Sequence, residues 1–532
     1  MKKNKFFRLL NRTLMACGLL AMGACSGGSN GGGGDEPAPK PAENVTLRST
    51  SIKEGAEVEA SVDKLTLSYS TTVQVSAKAD ITLNGKSVSA ASSSKTTMDV
   101  EVNLALEEGK SYTLKIAAGS IVARDDNSRT APEFTLNFTT KKAPSMDLPD
   151  NDAMKVTHMI GFGWNLGNHF DSYDGGNAKD NYRITWSKDC PYWDGKIPTE
   201  KLYKSLAAAG VKTVRMPVTW GPYQNMTDGN YTIDADYMAT VKQNVLWAKA
   251  AGLNVVLNTH HDEYWQDAYG ASTSTTLNDE LKVRITATWT QIATAFKDEG
   301  DYLILETFNE LNHNWASPTS GELKIQNEWN QVAVDAIRAV GGANATRWIA
   351  VPSYQANPGQ AMSSAFKIPN DAANKLIVAI HCYDPYSFTL EKESNKDDAD
   401  LKVKKWGHNA GNSYDEKNIT DLFAKIKAAF IDKNIPVYLG EFGCSRHKTD
   451  LGNRCRDYYL EYFCRACCFY GLACCLWDNQ NPGGGSEHHA YFNHADGSWC
   501  DNHEAIVKTM VKAATSNDAT YTLESIYARA PK

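Results

Sequence analysis

Residues 301–310 read Asp301-Tyr-Leu-Ile-Leu-Glu-Thr-Phe-Asn309-Glu310, and this stretch decides the fold prediction. Its apolar and β-favouring residues stand in a row without glycine or proline, which is typical of a buried strand. The strand ends in an amide and a carboxylate, and burying an ionised carboxylate without a partner is costly. Glu310 therefore needs water, a partner or a chemical task.

A second stretch is built in the same way. In Pro436-Val-Tyr-Leu-Gly440-Glu441-Phe-Gly443, an apolar strand again carries a carboxylate to its carboxyl end. Glycoside hydrolysis uses two such groups, one as proton donor and one as nucleophile or base. The two stretches together predict that chemistry.

Apolar segments of strand length recur through residues 151–532 and alternate with amphipathic segments. One helix is expected from the N-cap candidate Thr199 to Gly210, and another from the N-cap candidate Asp234 to Gly252. Strands alternating with helices predict an α/β fold, a (β/α)8 TIM barrel with long loops. A doubly wound sheet is the alternative, but no Gly-rich phosphate turn follows the first strand. The predicted strands are Met159–Leu166, Val211–Val218, Leu253–Thr259, Tyr302–Phe308, Arg347–Pro352, Leu376–Ile380, Val437–Gly440 and Leu472–Leu476.

Polar or aromatic residues follow seven of these strands, at the end where such barrels carry out their chemistry. One of them alone could be a core or rim residue, but seven indicate a lined cleft. Glu306 lies roughly 13 Å below Glu310 at the rise of a strand, so we expect it to be a paired residue of the barrel interior. The strand-end residues are Asn165, Asn168, Arg215, His260, His261, Asn309, Glu310, His381, Tyr383, Glu441, Trp477 and Asp478.

The same residues carry a family resemblance through seven motifs in order: Gly163-Trp-Asn-Leu-Gly-Asn168, Val214-Arg-Met-Pro-Val-Thr-Trp220, Asn258-Thr-His-His-Asp262, Phe308-Asn-Glu310, His381-Cys-Tyr383 with Pro385-Tyr386, Gly440-Glu-Phe-Gly443 and Trp477-Asp-Asn479. They resemble glycoside hydrolase family 5, and within it the cellulase and xyloglucanase branch. The resemblance covers residues 150–515. It implies a retaining mechanism with Glu310 as acid/base and Glu441 as nucleophile.

The remaining site residues are expected to hold the substrate or to tune the pair. Arg215 and the hydroxyl of Tyr383 should stabilise ionised Glu441, and Glu310 should have a raised pKa. Asn309 is expected to bind the sugar 2-hydroxyl, and Trp477 to stack on a sugar ring. The other members of the predicted substrate-binding set are Asn168, His260, His261, His381 and Trp406.

Two segments after the first and sixth strands bear on substrate specificity. Thr185–Gly195 stands where related enzymes carry a Glu-Thr-x-Trp-Gly element, and it would border the subsites on the non-reducing side of the cleaved bond. Ser394–Tyr414 contains Trp406. That segment forms a cleft wall in one interpretation and a solvated loop in the other.

Residues 1–24 resemble a bacterial lipoprotein signal peptide, with a basic start and a short apolar run that ends before Cys25. Residues 25–45 read as a flexible Gly- and Pro-rich linker. Cys17 forms a rival lipidation box, and an unmodified Cys25 is the plain alternative. The prediction is an exported protein, lipid-anchored at Cys25 to the bacterial outer membrane or cell surface, since no other segment is apolar enough to cross a bilayer.

Residues 46–140 show short alternating runs with frequent turns, which predict a small all-β sandwich. They resemble a bacterial Ig-like domain, and residues 141–150 read as a second linker. A spacer is favoured over a sugar-binding module because no aromatic face is evident. Asp125-Asp-Asn127 is interpreted as a surface turn rather than a calcium loop.

The formal net charge of −7 argues against a polyanionic partner, so no nucleic acid is expected. No cofactor or metal is predicted, and the protein is expected to be a monomer. The chain has 12 cysteines, and five of them crowd residues 464–475. Their apolar neighbours favour buried thiols over a zinc site, and any disulfide pairing stays open.

The sequence therefore predicts a retaining endo-β-1,4-glucanase (cellulase) acting on β-linked polysaccharide. Xyloglucan, mixed-linkage β-glucan, xylan and mannan remain alternative substrates on the same fold. A surface glycan-binding lipoprotein with an inactive barrel is the alternative of another class. The presence of Glu310, Glu441, Arg215 and Asn309 argues against that alternative.

Overall fold

The computed structural model describes residues 44–58, 62–107, 109–140, 148–173, 193–225, 227–262, 275–396, 399–518 and 520–532. The chain divides into two compact units, residues 1–145 and 146–532. The predicted signal peptide, Cys25 and most of both linkers lie outside the described residues, as does most of Thr185–Gly195. Those interpretations and the predicted domain limits stay predictions.

The N-terminal unit is all-β, as predicted. A four-stranded sheet and a five-stranded sheet share one core, to which Leu65 and Val100 contribute from the first sheet and Leu114 and Leu136 from the second. Their strands alternate buried and accessible residues, the pattern of a sheet with one buried face. The strands are Leu47–Thr50, Glu57–Val58, Lys64–Tyr69, Val73–Val75, Ile81–Leu83, Lys86–Ser87, Ala90–Ala91, Asp99–Asn103, Ser111–Ile116, Ile121–Ala123 and Phe134–Thr140.

The segment Asp125-Asp-Asn127 lies at the surface of this unit. Asp125 pairs with Arg129 at 3.1 Å, and Asp126 accepts hydrogen bonds from the backbone and hydroxyl of Ser128. These contacts are those of a closed turn, in line with the surface-turn interpretation.

In the second unit, eight parallel strands close into a barrel, which confirms the predicted fold class. Each strand pairs with the next along the chain, and the eighth pairs with the first through Phe162 and Cys474. We number these barrel strands one to eight: Phe162–Asn165, Thr213–Met216, Asn254–Asn258, Leu303–Glu306, Ile349–Pro352, Leu376–Cys382, Val437–Phe442 and Ala473–Leu476.

Helices cover the outside of the barrel. The helix over Ser320–Val340 begins with a capping box, in which Thr319 and Glu322 satisfy each other's backbone amides. Asp234 caps the helix Ala235–Ala250, as its sequence position predicted. The other α-helices are Asp152–Ile160, Glu200–Ala208, Thr275–Ala295, Pro358–Ala361, Tyr386–Thr389, Glu416–Ala429, Asp450–Tyr470, Glu504–Thr515 and Leu523–Tyr527. In the part of the chain that is described, none of them has the length and apolar character that crossing a membrane requires.

The apolar strands are buried on both faces because the barrel has two cores. Leu303 and Leu305 pack outward in the core formed with the helices, whereas Ile304 between them belongs to the interior core. This arrangement explains why the strands read as continuous apolar runs rather than alternating ones.

The first predicted strand began too early. Residues up to Ile160 form the helix Asp152–Ile160, which Asn151 caps by accepting from the Met154 amide. Gly161 ends the helix with a φ of 59°. Val156 and Ile160 pack with the interior core, so the apolar run there belongs to a helix that contacts the barrel interior.

Candidate active site

Arg215 on the second strand joins the charged groups of the barrel mouth. Its side chain is 0% exposed. Nε donates to Glu306 Oε2 at 2.8 Å, and Nη1 donates to Glu441 Oε1 at 2.8 Å. Nη1 also donates to Asn165 Oδ1 at 3.0 Å, and Nη2 donates to Asn309 Oδ1 at 2.8 Å. A single guanidinium can serve all these acceptors because its donors form a rigid planar fork.

Glu306 lies in the barrel interior, 0% exposed and paired with Arg215, as expected. Asn165 at the end of the first strand has a role that the sequence did not reveal. Its amide nitrogen donates to the carbonyl oxygens of Gly440 at 2.9 Å and Leu476 at 3.2 Å. It therefore ties the first strand to the seventh and eighth while its oxygen orients Arg215.

The two glutamates selected from the sequence both approach the same ring nitrogen of His381. His381 Nδ1 is 2.7 Å from Glu310 Oε1 and 3.7 Å from Glu441 Oε2. One oxygen of Glu310 lies within 4.8 Å of one oxygen of Glu441. The hydroxyl of Tyr383 donates to Glu441 Oε2 at 2.9 Å. The fold thus brings together one carboxyl group from the loop after the fourth strand and one from the end of the seventh.

The surroundings shift the pKa values of these carboxyl groups in opposite directions. Burial raises the pKa of Glu310, and the positive charge of His381 offsets that only in part. Burial also acts to raise the pKa of Glu441, but the charges of His381 and Arg215 and the hydrogen bonds from Arg215 and Tyr383 outweigh it. The pKa of Glu441 therefore lies below its ordinary value. Neighbouring carboxyl groups that diverge in this way are suited to different roles, one as a proton donor and one as an ionised group.

The pKa of His381 is raised above its ordinary value. Burial acts to lower it, but the charges of Glu441 and Glu310 and the hydrogen bond to Glu310 outweigh burial. The two carboxyl groups therefore favour the protonated, cationic form of His381.

A bulge in the seventh strand aims Glu441 at the site. Ile380 pairs with Leu439, but the next residue, His381, pairs with Glu441, so Gly440 has no partner in the register. Bulges re-aim the side chain that follows them. A Cβ on Gly440 would lie 2.9 Å from His381 Nε2, so only glycine leaves the imidazole its place.

The side chains of Asn309 and His260 are oriented by their neighbours. Since Asn309 Oδ1 is bound to Arg215, its amide nitrogen is available to a ligand. Asn258 Oδ1 accepts from the Val218 amide, so its Nδ2 donates to His260 Nδ1 at 3.1 Å. Burial lowers the pKa of His260 well below its ordinary value. His260 is therefore neutral, and its proton is on Nε2.

Trp477, Asn168 and His261 also lie beside this site. Trp477 is 8% exposed, and its ring is parallel to that of His260, with centroids 6.2 Å apart. The ring of His261 lies 4.4 Å from that of His260. Asn168 has a left-handed backbone, with a φ of 61°, and its carbonyl oxygen accepts from the backbone of Asp194. It shapes the loop after the first strand.

The prediction that Trp406 takes part in substrate binding is wrong. Its side chain is 1% exposed and lies in the core rather than on a cleft wall or in a solvated loop. Tyr459 packs edge-on against it at 5.0 Å, and Tyr458 and Phe388 also contact it. The helix Asp450–Tyr470 presents these tyrosines, and the large apolar indole is covered by them.

Two groups of residues place three potential metal-ligand atoms within 4.8 Å of one another, Glu310 with His381 and Glu441, and Asp171 with His260 and His261. In the second group, the proton on His260 Nε2 opposes coordination through that atom. No such group within the described ranges includes a cysteine. The nine cysteines that are described have free thiols, and seven of them are buried, in agreement with the buried-thiol interpretation.

Comparison with known proteins places the barrel among enzymes that act on sugars. A family model described as Cellulase (glycosyl hydrolase family 5) matches residues 173–483, more than half of the chain. The chain is 32% identical over 334 residues to Endoglucanase A of Clostridium longisporum, covering 62% of this chain and 59% of that protein. It is 32% identical over 376 residues to Endoglucanase B of Ruminococcus albus, covering 68% of this chain and 82% of that one.

Among solved structures, the chain is similar to a GH5-4 broad specificity endoglucanase from Bacteroides salanitronis. The sequence identity is 36% and the TM-score is 0.61. The match covers 70% of this chain and 97% of that one. The similarity therefore covers nearly the whole of that enzyme.

Proposed function

The chain belongs to glycosyl hydrolase family 5, and from this premise we propose that it is a retaining endo-β-1,4-glucanase, with Glu310 and Glu441 as its catalytic pair. The observation that carries the proposal is the separation of the two carboxyl groups, whose nearest oxygens lie within 4.8 Å. Retaining pairs are about 5–5.5 Å apart, whereas inverting pairs are about 6.5–9.5 Å apart to admit a water molecule.

Glu441 is the nucleophile in this proposal. Its ionised Oε attacks the anomeric carbon, and the bond from that carbon to the leaving oxygen breaks as Glu310 protonates that oxygen. A covalent glycosyl-enzyme results. Glu310, now ionised, takes a proton from water, whose oxygen then attacks the anomeric carbon and releases Glu441. The raised pKa of Glu310 and the lowered pKa of Glu441 suit the first step.

The neighbouring residues have binding and tuning roles. Arg215 and Tyr383 keep Glu441 ionised through hydrogen bonds of 2.8 and 2.9 Å. The free amide of Asn309 binds the sugar 2-hydroxyl, a contact that strengthens in an oxocarbenium-like transition state. The Nε2 proton of His260 is a hydrogen-bond donor for a sugar hydroxyl, and the ring of Trp477 stacks on a sugar.

The substrate class is a β-1,4-linked glucan, cut within the chain. The names of the Clostridium and Ruminococcus endoglucanases support this choice, and the broad specificity in the name of the Bacteroides salanitronis endoglucanase supports a range of β-glucans. Product analysis on soluble cellulose, mixed-linkage glucan, xyloglucan, xylan and mannan tests it. Short oligosaccharides from soluble cellulose at early times are expected. Products from xylan or mannan alone would overturn the substrate assignment.

The roles of the two glutamates are tested by rescue with azide. Glu310→Ala should lower turnover of β-glucan by about a hundred- to ten-thousand-fold, the usual contribution of a general acid. On an aryl β-cellobioside with a good leaving group, the glycosyl-enzyme still forms, and azide should restore turnover and give a β-configured glycosyl azide. Glu441→Gln is the matched control and should not be rescued in this way. An α-configured azide from Glu310→Ala would reverse the assignment.

We further propose that the protein is an exported lipoprotein and that the N-terminal unit is an Ig-like spacer. The basic and apolar segments of residues 1–24 and the Gly-rich residues after Cys25 support the first proposal. The two sheets around one core support the second. In this proposal the barrel acts as a monomer on polysaccharide outside the cell, and the lipid is its sole attachment to a membrane.

A further inference from the structure

A row of aromatic rings extends along the cleft from Trp477. The ring of His260 is parallel to Trp477 at 6.2 Å, His261 follows at 4.4 Å, and Trp193 lies 5.9 Å from His261. Trp193 is 49% exposed, although its amide donates to Ser172 Oγ at 2.8 Å and its position is therefore held. Large exposed aromatic faces with a held backbone are suited to stacking against sugar rings.

The tryptophans at the two ends of this row are each followed by an aspartate, and both aspartates contact the same histidine. His494 Nδ1 lies 2.8 Å from Asp194 Oδ2, and His494 Nε2 lies 3.2 Å from Asp478 Oδ1. The side chains of all three residues are 0% exposed. Residues 193–194 and 477–478 are far apart in the sequence, so His494 connects two separate parts of the cleft.

Asp194 and Asp478 also hold the backbone near them. Asp194 is bonded to His169 Nδ1 at 3.0 Å, and its backbone amide donates to the Asn168 carbonyl. Asp478 accepts from the backbone amides of Tyr491 and Phe492 at 3.1 and 2.9 Å, and from the indole of Trp164 at 2.9 Å. Each aspartate therefore anchors the segment that carries the tryptophan before it.

The charges around His494 make this contact an ion-paired one. Burial acts to lower the pKa of His494, but Asp478 and Asp194 outweigh burial and raise it to about 9. The pKa of Asp194 is lowered to about 2, since His169 and His494 outweigh its burial. His169, the other titratable group on Asp194, has a lowered pKa because burial dominates. His494 is thus a buried cation between two carboxylates at neutral pH, and it loses this charge as the pH rises through about 9.

We propose that His494 is a positioning residue for sugar binding: by bridging Asp194 and Asp478, it holds Trp193 and Trp477 so that both stack on one glucan chain. The inference rests on the proposed function, since it takes a glucan as the ligand. His494 touches no reacting atom and acts through the two tryptophans.

A double-mutant cycle on cellohexaose binding tests the proposal. Dissociation constants are measured by calorimetry in a Glu441→Gln background, which does not hydrolyse the ligand. His494→Gln should raise the dissociation constant about tenfold, equivalent to about 1.4 kcal/mol. Trp193→Ala should raise it to a similar degree. The double variant should be weaker than Trp193→Ala by clearly less than the roughly tenfold effect of His494→Gln alone, because His494 then acts only through Trp477 and coupled residues are not additive.

His503→Gln is the matched control. His503 is buried in the same C-terminal segment, but its Nδ1 contacts the carbonyl oxygen of Ala490 at 2.7 Å. His503→Gln should lower the thermal midpoint of unfolding without changing the dissociation constant more than about twofold. It changes local packing but leaves the contacts of His494 with Asp194 and Asp478 in place. The proposal would be overturned if His494→Gln also left the dissociation constant within about twofold of its starting value. It would also be overturned if the increase in the double variant equalled the product of the increases in His494→Gln and Trp193→Ala.

A pH series keeps the proposal testable if His494→Gln does not fold. With His494 intact, cellohexaose binding should weaken between pH 8 and pH 10, and Trp193→Ala should reduce this dependence to the part that acts through Trp477. An equal pH dependence with and without the Trp193 side chain would overturn the proposal. If the wild-type protein hydrolyses no β-glucan at all, the proposed function fails instead, so the two failures are distinguishable.

Discussion

Removing the positive charge of Arg215 should shift the pH range in which Glu441 can act. A single substitution would leave Glu306 buried without its cation, which costs about 3–5 kcal/mol in stability. The double variant Arg215→Met/Glu306→Gln avoids this by removing both members of that pair. Glu441 is then the one carboxylate that loses its 2.8 Å contact with the guanidinium.

The size of the effect follows from that contact. A hydrogen bond to a charged group contributes about 1.5–3 kcal/mol, and one pKa unit corresponds to about 1.4 kcal/mol. The hydroxyl of Tyr383 at 2.9 Å and the ring of His381 at 3.7 Å remain. We therefore expect the pKa of Glu441 to rise by about 1–2 units. Because Glu441, as the proposed nucleophile, must be ionised to attack, activity should be lost at a correspondingly higher pH.

The measurement is the pH profile of kcat/KM on an aryl β-cellobioside. A good leaving group needs little protonation, so Glu310 does not limit this reaction and the acidic limb reports the nucleophile. Tyr383→Phe should move the acidic limb in the same direction by a smaller amount. Glu306→Gln alone is the matched control, and it should leave the limb in place or move it to lower pH, because Arg215 then serves Glu441 alone. An acidic limb unmoved in the double variant would show that another group holds the charge of Glu441.

Two further predictions concern the bulge and the N-terminus. Gly440→Ala would place a methyl group 2.9 Å from His381 Nε2, so kcat should fall by at least about tenfold, or 1.4 kcal/mol of barrier. Gly300→Ala is the control, at a glycine with open space around it. Unchanged kcat in Gly440→Ala would mean that the imidazole has room to move. Cys25→Ala should release the exported protein from the membrane fraction into solution, and full retention in that fraction would contradict the lipoprotein proposal.

The fold, and the two carboxylates that we propose as the catalytic pair, were predictable from local patterns. A parallel barrel strand such as Leu303–Glu306 packs on both faces, so it reads as an unbroken apolar run of strand length. Active sites of such barrels lie at the carboxyl ends of the strands. A carboxylate that directly follows an apolar strand could therefore be predicted to lie in the active site from the sequence alone. Glu306 was also placed correctly, because the rise of a strand sets its depth.

Trp406 shows where local patterns stop being sufficient. Its position in a long loop after the sixth strand suggested a cleft wall, but Tyr458 and Tyr459 cover it in the core. A loop sequence does not reveal which neighbour it folds against, since burial depends on residues far along the chain. The beginning of the first strand was misplaced for a similar reason, because Val156 and Ile160 are apolar on account of the barrel interior they contact.

The amino-acid sequence by itself determined the alternation of strands and helices, the strand-end glutamates and the charge of the chain. Only the tertiary structure decided which titratable side chains form hydrogen bonds or ion pairs with one another. His381 reaches Glu310 across 71 positions, and His494 reaches Asp194 across 300. Local periodicity carries no record of such pairs, because they form only when the barrel closes and brings distant strand ends within hydrogen-bonding distance.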